Sequence, residues 1–108
     1  MKYAATISFA LIFAGALSLS AADAKALWDK ECAKCHAADG SGKTKMGEKL
    51  GARDYTSAKV QGEMKDDEMA KAIKEGVKKD GKSLMKAFPD YSDDEVKALV
   101  AYIRKMKK

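Results

Sequence analysis

Both cysteines and the only histidine of this 108-residue chain fall within five positions, Cys32-Ala33-Lys34-Cys35-His36. They are the softest donors in the chain, and their crowding calls for a chemistry that uses all three. C-x-x-C-H is the attachment sequence of a c-type haem. Cys32 and Cys35 stand three apart, on one face of a helix. That spacing suits two thioether bonds to the vinyl groups at one porphyrin edge. His36, next in the chain, suits the proximal position on the iron. A structural zinc site takes four protein ligands, and only three soft candidates exist. A catalytic dithiol would leave His36 without a role, and no βαβ pattern surrounds the motif.

The opposite face of the iron needs a donor from elsewhere. A second histidine is absent, so methionine, soft and neutral, is the candidate. Beyond the initiator, the chain offers Met46, Met64, Met69, Met85 and Met106. Met106 ends the last helical pattern and reads as packing. Met69 lies on an apolar helix face and reads as core. Met46 is too close to the motif in chain to reach the far face easily. Met85, in a loop ahead of the only proline, Pro89, is the expected ligand, with Met64 as the alternative.

The positions that hold these groups read as helices. A first helix is expected over about Ala24 to Ala37, with Leu27, Trp28, Glu31 and Cys35 at helical spacing. The glycine-rich stretch "AADGSGKTKMGEKLG" reads as loop. A short helical turn fits near Ser57 to Gln61. A firmer helix runs through "DEMAKAIKEG", with Asp66 as its cap, acidic residues in its first turn and Gly76 at its end. "VKKDGKSLMKAFPDY" reads as loop, and strand patterns are weak throughout. The last helix opens on a capping box, Ser92 with Glu95 three residues on. Its apolar face carries Val96, Leu99, Val100 and Ile103. The expected fold is all-α, with short helices and long loops wrapped around a ligand.

The N-terminus is set apart from this domain. A short positive start, an apolar run "AATISFALIFAGALSLS" and small residues in "SAADA" form a secretory signal peptide. Cleavage is expected after Ala22, with Ala24 as the second register. Residues 1–22 are therefore the signal and 23–108 one domain of about 86 residues. Loss of Lys2 leaves 20 Lys and Arg against 16 Asp and Glu. The mild, interspersed excess, without basic runs or interleaved aromatics, argues against nucleic acid. So small a domain buries little surface on its own. A covalent cofactor would add core volume.

Together these residues resemble a small class I cytochrome c of the bacterial periplasmic kind, over the whole mature chain. "WDKECAKCH" resembles the family's N-terminal helix, with an aromatic four residues before the first cysteine. "LVAYI" at Leu99 to Ile103 resembles the C-terminal helix that crosses it. Ala24, Trp28, Leu99 and Tyr102 match the small residue and the aromatic pair of that crossing. "GKSLMKAFPDYSDDEVKALVAYIRK" resembles the methionine-ligand loop and the helix after it. Two departures stand out. Met85 is followed by Lys86 where many relatives have proline. The loop after the motif lacks the proline whose carbonyl often accepts the histidine ring proton, so a carbonyl near Met46 or Gly47 is expected in its place.

The resemblance implies one covalent haem c, with Cys32 and Cys35 as thioethers and His36 and Met85 as axial ligands. Expected haem and core contacts come from Trp28, Leu50, Ile73, Leu84, Phe88, Leu99, Val100 and Ile103. Arg53 and Tyr55 are candidates for hydrogen bonds to a propionate. With both axial positions filled, the chain is expected to carry electrons in the periplasm rather than act as an enzyme. It is expected to be a monomer without a retained membrane anchor. A haem sensor or enzyme with an open distal site is the alternative. Lys30, Lys34, Lys43, Lys45, Lys82 and Lys86 would steer it onto redox partners with acidic docking surfaces.

Overall fold

The computed structural model describes residues 20–108. The signal-peptide expectation falls on residues that, up to 19, lie outside this range. Helical structure runs from Ala21 to His36 in three parts: α1 (Ala21–Leu27), a π-helical turn (Trp28–Cys32) and α2 (Ala33–His36). Ser20 and Asp23 form a capping box at its start. In the wider turn the Ala33 N–H donates to the Trp28 carbonyl five residues back. Widening rotates α2 relative to the buried stripe of α1. Trp28 thereby stays in the core while the cysteines turn toward a cavity.

The stretch after His36 is not all loop, as its glycines suggested. It contains α3 (Lys45–Leu50), whose N-cap Thr44 accepts from the Gly47 N–H and whose end is Gly51 at φ 75°. α4 (Ala58–Glu63) is capped by Ser57. α5 (Asp66–Glu75) starts one residue earlier than its expected cap allows: Lys65 is the N-cap, and no side chain bonds there. Asp66, Asp67 and Glu68 instead fill the first turn, where negative charge meets the positive end of the helix dipole.

The segment after α5 departs most from expectation. Val77–Lys79 (β1) and Lys82–Met85 (β2) pair as an antiparallel hairpin, with Val77 opposite Met85 and a register shift between Val77 and Lys78. The fold is therefore mostly helical with one small hairpin. α6 (Asp93–Arg104) begins at the Ser92–Glu95 capping box, as its sequence predicts.

α6 supplies the floor of the core. Its Val96, Leu99, Val100 and Ile103 pack with Trp28 and with Met69 and Ile73 of α5. Ala24 and Leu99 are each 1% exposed, and Trp28 is 2%. The small side chain of Ala24 lets α1 approach α6 closely, and Trp28 meets Tyr102 at 6.0 Å between ring centroids. The crossing that the sequence predicts, with these four residues at it, is present.

Buried Gln61 ties the C-terminal helix to the middle of the chain. Its amide donates to the carbonyls of Tyr55 and Ile103, each at 2.8 Å. Its oxygen accepts from Arg104 at 3.0 Å. Arg104 also donates to the Gln61 and Met64 carbonyls and to Asp66. A buried amide with all these partners costs little to bury.

A cavity built around the cysteine–histidine motif

A cavity of about 480 Å³ opens beside the motif, within the range of small-molecule and cofactor sites, ~300–1,000 Å³. Every residue expected to touch the cofactor or pack around it lines it except Val100, which is buried in the core. The π turn and α2 bring Trp28, Cys32, Cys35 and His36. The end of α3 and the loop after it bring Leu50, Arg53 and Tyr55. Ile73 comes from α5, Leu84 and Met85 from β2, Phe88 from the following loop and Leu99 from α6. The walls are mainly apolar, with Glu31, Arg53, Glu68 and Lys86 as charged members.

The motif is anchored from behind. Thr44 donates its hydroxyl to the Cys35 carbonyl at 2.7 Å and accepts from the Gly47 N–H at 2.8 Å. The Gly42 N–H donates to the His36 carbonyl at 2.8 Å. Gly47 sits so close that a Cβ there would lie 2.3 Å from the Cys35 oxygen.

His36 packs against two aromatic rings that also touch each other, 5.4 Å from Trp28 and 5.3 Å from Tyr55, the latter stacked at 24°. Burial lowers its pKa and holds the imidazole neutral, the form that binds a metal. Its Nδ1 is buried and has no hydrogen-bond partner. The expected carbonyl near Met46 or Gly47 does not accept from it. Gly47 instead closes against the Cys35 and Gly42 carbonyls.

Cys32 and Cys35 are free thiols. Burial, with help from Glu31 and Cys35, pushes the Cys32 thiol up to about 11. A catalytic dithiol requires the reverse, a thiolate stabilised at neutral pH. Two cysteines three apart beside an apolar cavity, the Cys32 thiol held neutral by burial, followed by a neutral imidazole, fit covalent haem. They do not fit thiol–disulfide exchange.

The five candidate methionines separate into two groups. Met64, Met69 and Met85 line the cavity, whereas Met46 and Met106 do not. Met46 is exposed, and Met106 packs at the edge of the core. Met69, read as core, is buried there as well as facing the cavity. Arg53 lines the cavity but pairs with Glu63 at 2.6 Å. Tyr55 is held by burial above the usual phenol pKa. Sequence reading misses Ala72 as a wall residue. As an alanine on the face of α5 shared with Met69, it carries no signal beyond its spacing.

Comparison with known proteins agrees with this geometry. Residues 20–103 match the family model described as cytochrome c oxidase, cbb3-type, subunit III. The solved structure of the KustC0563 c-type cytochrome is 35% identical and superposes with a TM-score of 0.69, covering 79% of this chain and 98% of that one. A tyrosine-to-phenylalanine mutant of that cytochrome superposes at 0.67, with the same identity and 79% and 99% coverage. No match was found among the curated proteins. The chain belongs to the cytochrome c family represented by that subunit III model, and is a small class I c-type cytochrome.

Proposed function

We propose that this cytochrome is a periplasmic electron carrier with one haem c, held by Cys32 and Cys35 and ligated by His36 and Met85. The observation that carries the reading is the convergence of both cysteines, His36 and Met85 on one apolar cavity. One attachment motif, with the only histidine in it, supports a single haem. Bound haem supplies the one-electron change between ferrous and ferric iron. The chain's own residues do the rest.

Cys32 and Cys35 fix the ring's edge. The rings of Trp28 and Tyr55 confine the His36 imidazole. Ile73, Leu84, Phe88 and Leu99 keep water from the ring, which favours the state of lower charge. Methionine as second ligand raises the potential relative to a second histidine. With both axial positions filled, no substrate reaches the iron, which favours electron transfer over catalysis.

Export is supported by the N-terminal sequence. Ala24 is 1% exposed at the α1–α6 crossing, so cleavage after Ala22 keeps a core residue that cleavage after Ala24 would remove. Among the described residues no helix is long and apolar enough to cross a membrane. The lysines expected to meet acidic partners, Lys30, Lys34, Lys43, Lys45, Lys82 and Lys86, are all exposed. None forms an ion pair among the described residues.

Carbon monoxide and mass spectrometry test the reading together. Protein made with its N-terminal segment should carry the mass of one haem, and its ferrous form should not bind carbon monoxide at neutral pH. Ready binding would instead support a sensor or enzyme with an open distal site.

A further inference from the structure

Gly76 joins α5 to the hairpin that carries Met85. Its backbone has φ 75° and ψ −176°, a region that glycine alone occupies without strain. Its position is also crowded. A Cβ at residue 76 would lie 2.6 Å from the Met85 oxygen, 2.9 Å from the Ala87 nitrogen and 3.2 Å from the Lys86 carbonyl carbon. All three are backbone atoms, so no side-chain rotation relieves the contact. The bare glycine therefore lies directly against the chain that presents Met85 to the cavity.

Two neighbouring interactions fix the same segment. Val77, the next residue, pairs with Met85 across the hairpin. The Phe88 N–H donates to the Ile73 carbonyl near the end of α5 at 2.9 Å. Met85 is thus located from α5, through Gly76 on one side and Phe88 on the other. Lys86, next after Met85, fixes no φ of its own.

We propose that Gly76 is a positioning residue for the axial ligand: its missing side chain sets where the Met85 backbone, and hence its sulfur, stands. The proposal rests on Met85 being that ligand. Gly81, in the turn of the same hairpin, has φ 78° but nothing within 4 Å of its would-be Cβ. It therefore controls for the strain of a positive φ without the crowding.

The test compares holoproteins carrying Gly76→Ala, Gly81→Ala and Met85→Ala, each checked for covalent haem. The readouts are the sulfur-to-iron charge-transfer band of the ferric form and the affinity of ferric protein for added imidazole, which competes with methionine. Gly76→Ala should weaken or abolish the band and tighten imidazole binding about tenfold or more, while Gly81→Ala leaves both as in the parent. Equal behaviour of the two alanine variants would overturn the proposal.

A glycine inserted between Gly76 and Val77 decides the matter if Gly76→Ala yields no holoprotein. It brings no Cβ and no forbidden φ, yet shifts Val77 away from Met85. It should lose the band, and the same insertion between Asp80 and Gly81 should keep it. Equal bands in the two insertions would count against the proposal. Met85→Ala separates this question from the ligand assignment. A methionine band that survives in Met85→Ala removes the assignment and the role of Gly76 with it. Loss in Met85→Ala with an intact band in Gly76→Ala removes only the role of Gly76.

Discussion

The Trp28 indole donates its Nε1–H to the Ala37 carbonyl at 3.0 Å, clipping the chain directly after the motif histidine to the helix that precedes the motif. Ala37 needs the clip. It has φ 68° and ψ 159°, a conformation essentially reserved for glycine. The indole bond and the Gly42 N–H to the His36 carbonyl hold it there. Trp28 therefore serves the helix crossing through its ring and the motif through its nitrogen.

Ala37→Gly should stabilise the holoprotein by ~1 kcal/mol, because glycine adopts this conformation without a Cβ penalty. Trp28→Phe should cost about 1 kcal/mol through the lost hydrogen bond, and Trp28→Ala about 3–5 kcal/mol through the emptied core. Denaturant titration of the three variants checks the order. A destabilising Ala37→Gly would show that the clip stores no strain.

Gly47→Ala should impair maturation. Its Cβ would meet the carbonyls of Cys35 and Gly42 at 2.3 and 2.5 Å, behind the residues proposed to bond the haem. Gly62→Ala is the matched comparison, since Gly62 lies inside α4 with open space around its would-be Cβ. Helix propensity predicts a gain of ~0.8–1 kcal/mol there. The yield of haem-loaded protein should fall in the first variant and hold in the second.

Gln61→Leu keeps the volume but strips the Tyr55 and Ile103 carbonyls and the Arg104 guanidinium of a partner. Losing these bonds, with Arg104 keeping Asp66 and the Gln61 and Met64 carbonyls and Ile103 keeping the Met106 N–H, should cost ~1 kcal/mol. Thermal unfolding of the holoprotein measures it. A neutral result would mean that water replaces the amide.

The helices and the motif are legible in the sequence because their signals are local. Ser92 and Glu95 specify the start of α6 by themselves, and Cys32, Cys35 and His36 declare their chemistry by spacing. Trp28 and Leu99 reach the cavity in a sequence reading through family resemblance together with apolar period, and Met85 by elimination among the methionines. The hairpin is not legible. β1 is exposed at all three positions and β2 at its first two, so no alternation marks them. Their pairing depends on Gly76 and on Met85 facing Val77, contacts no local window contains. The π turn has the same origin, being set by Trp28 packing against α6 while the cysteines face the cavity. α3 is hidden by its glycines, although Thr44 ahead of Gly47 is a cap that propensity alone discounts.

Association with acidic redox partners should slow steeply as salt rises from low ionic strength to ~0.5 M, where screening shortens to a few Å. Six exposed lysines without ion pairs among the described residues underlie this expectation. Stopped-flow electron transfer across a salt series measures it. A flat series would remove the lysines from partner recognition.

The assignment of the iron's two axial positions is tested most directly by the ferric visible spectrum of Met85→Ala beside those of the parent and Met64→Ala. His36/Met85 ligation predicts a sulfur-to-iron band in the parent and in Met64→Ala, and its loss in Met85→Ala with covalent haem retained. A band that persists in Met85→Ala and vanishes in Met64→Ala would contradict it.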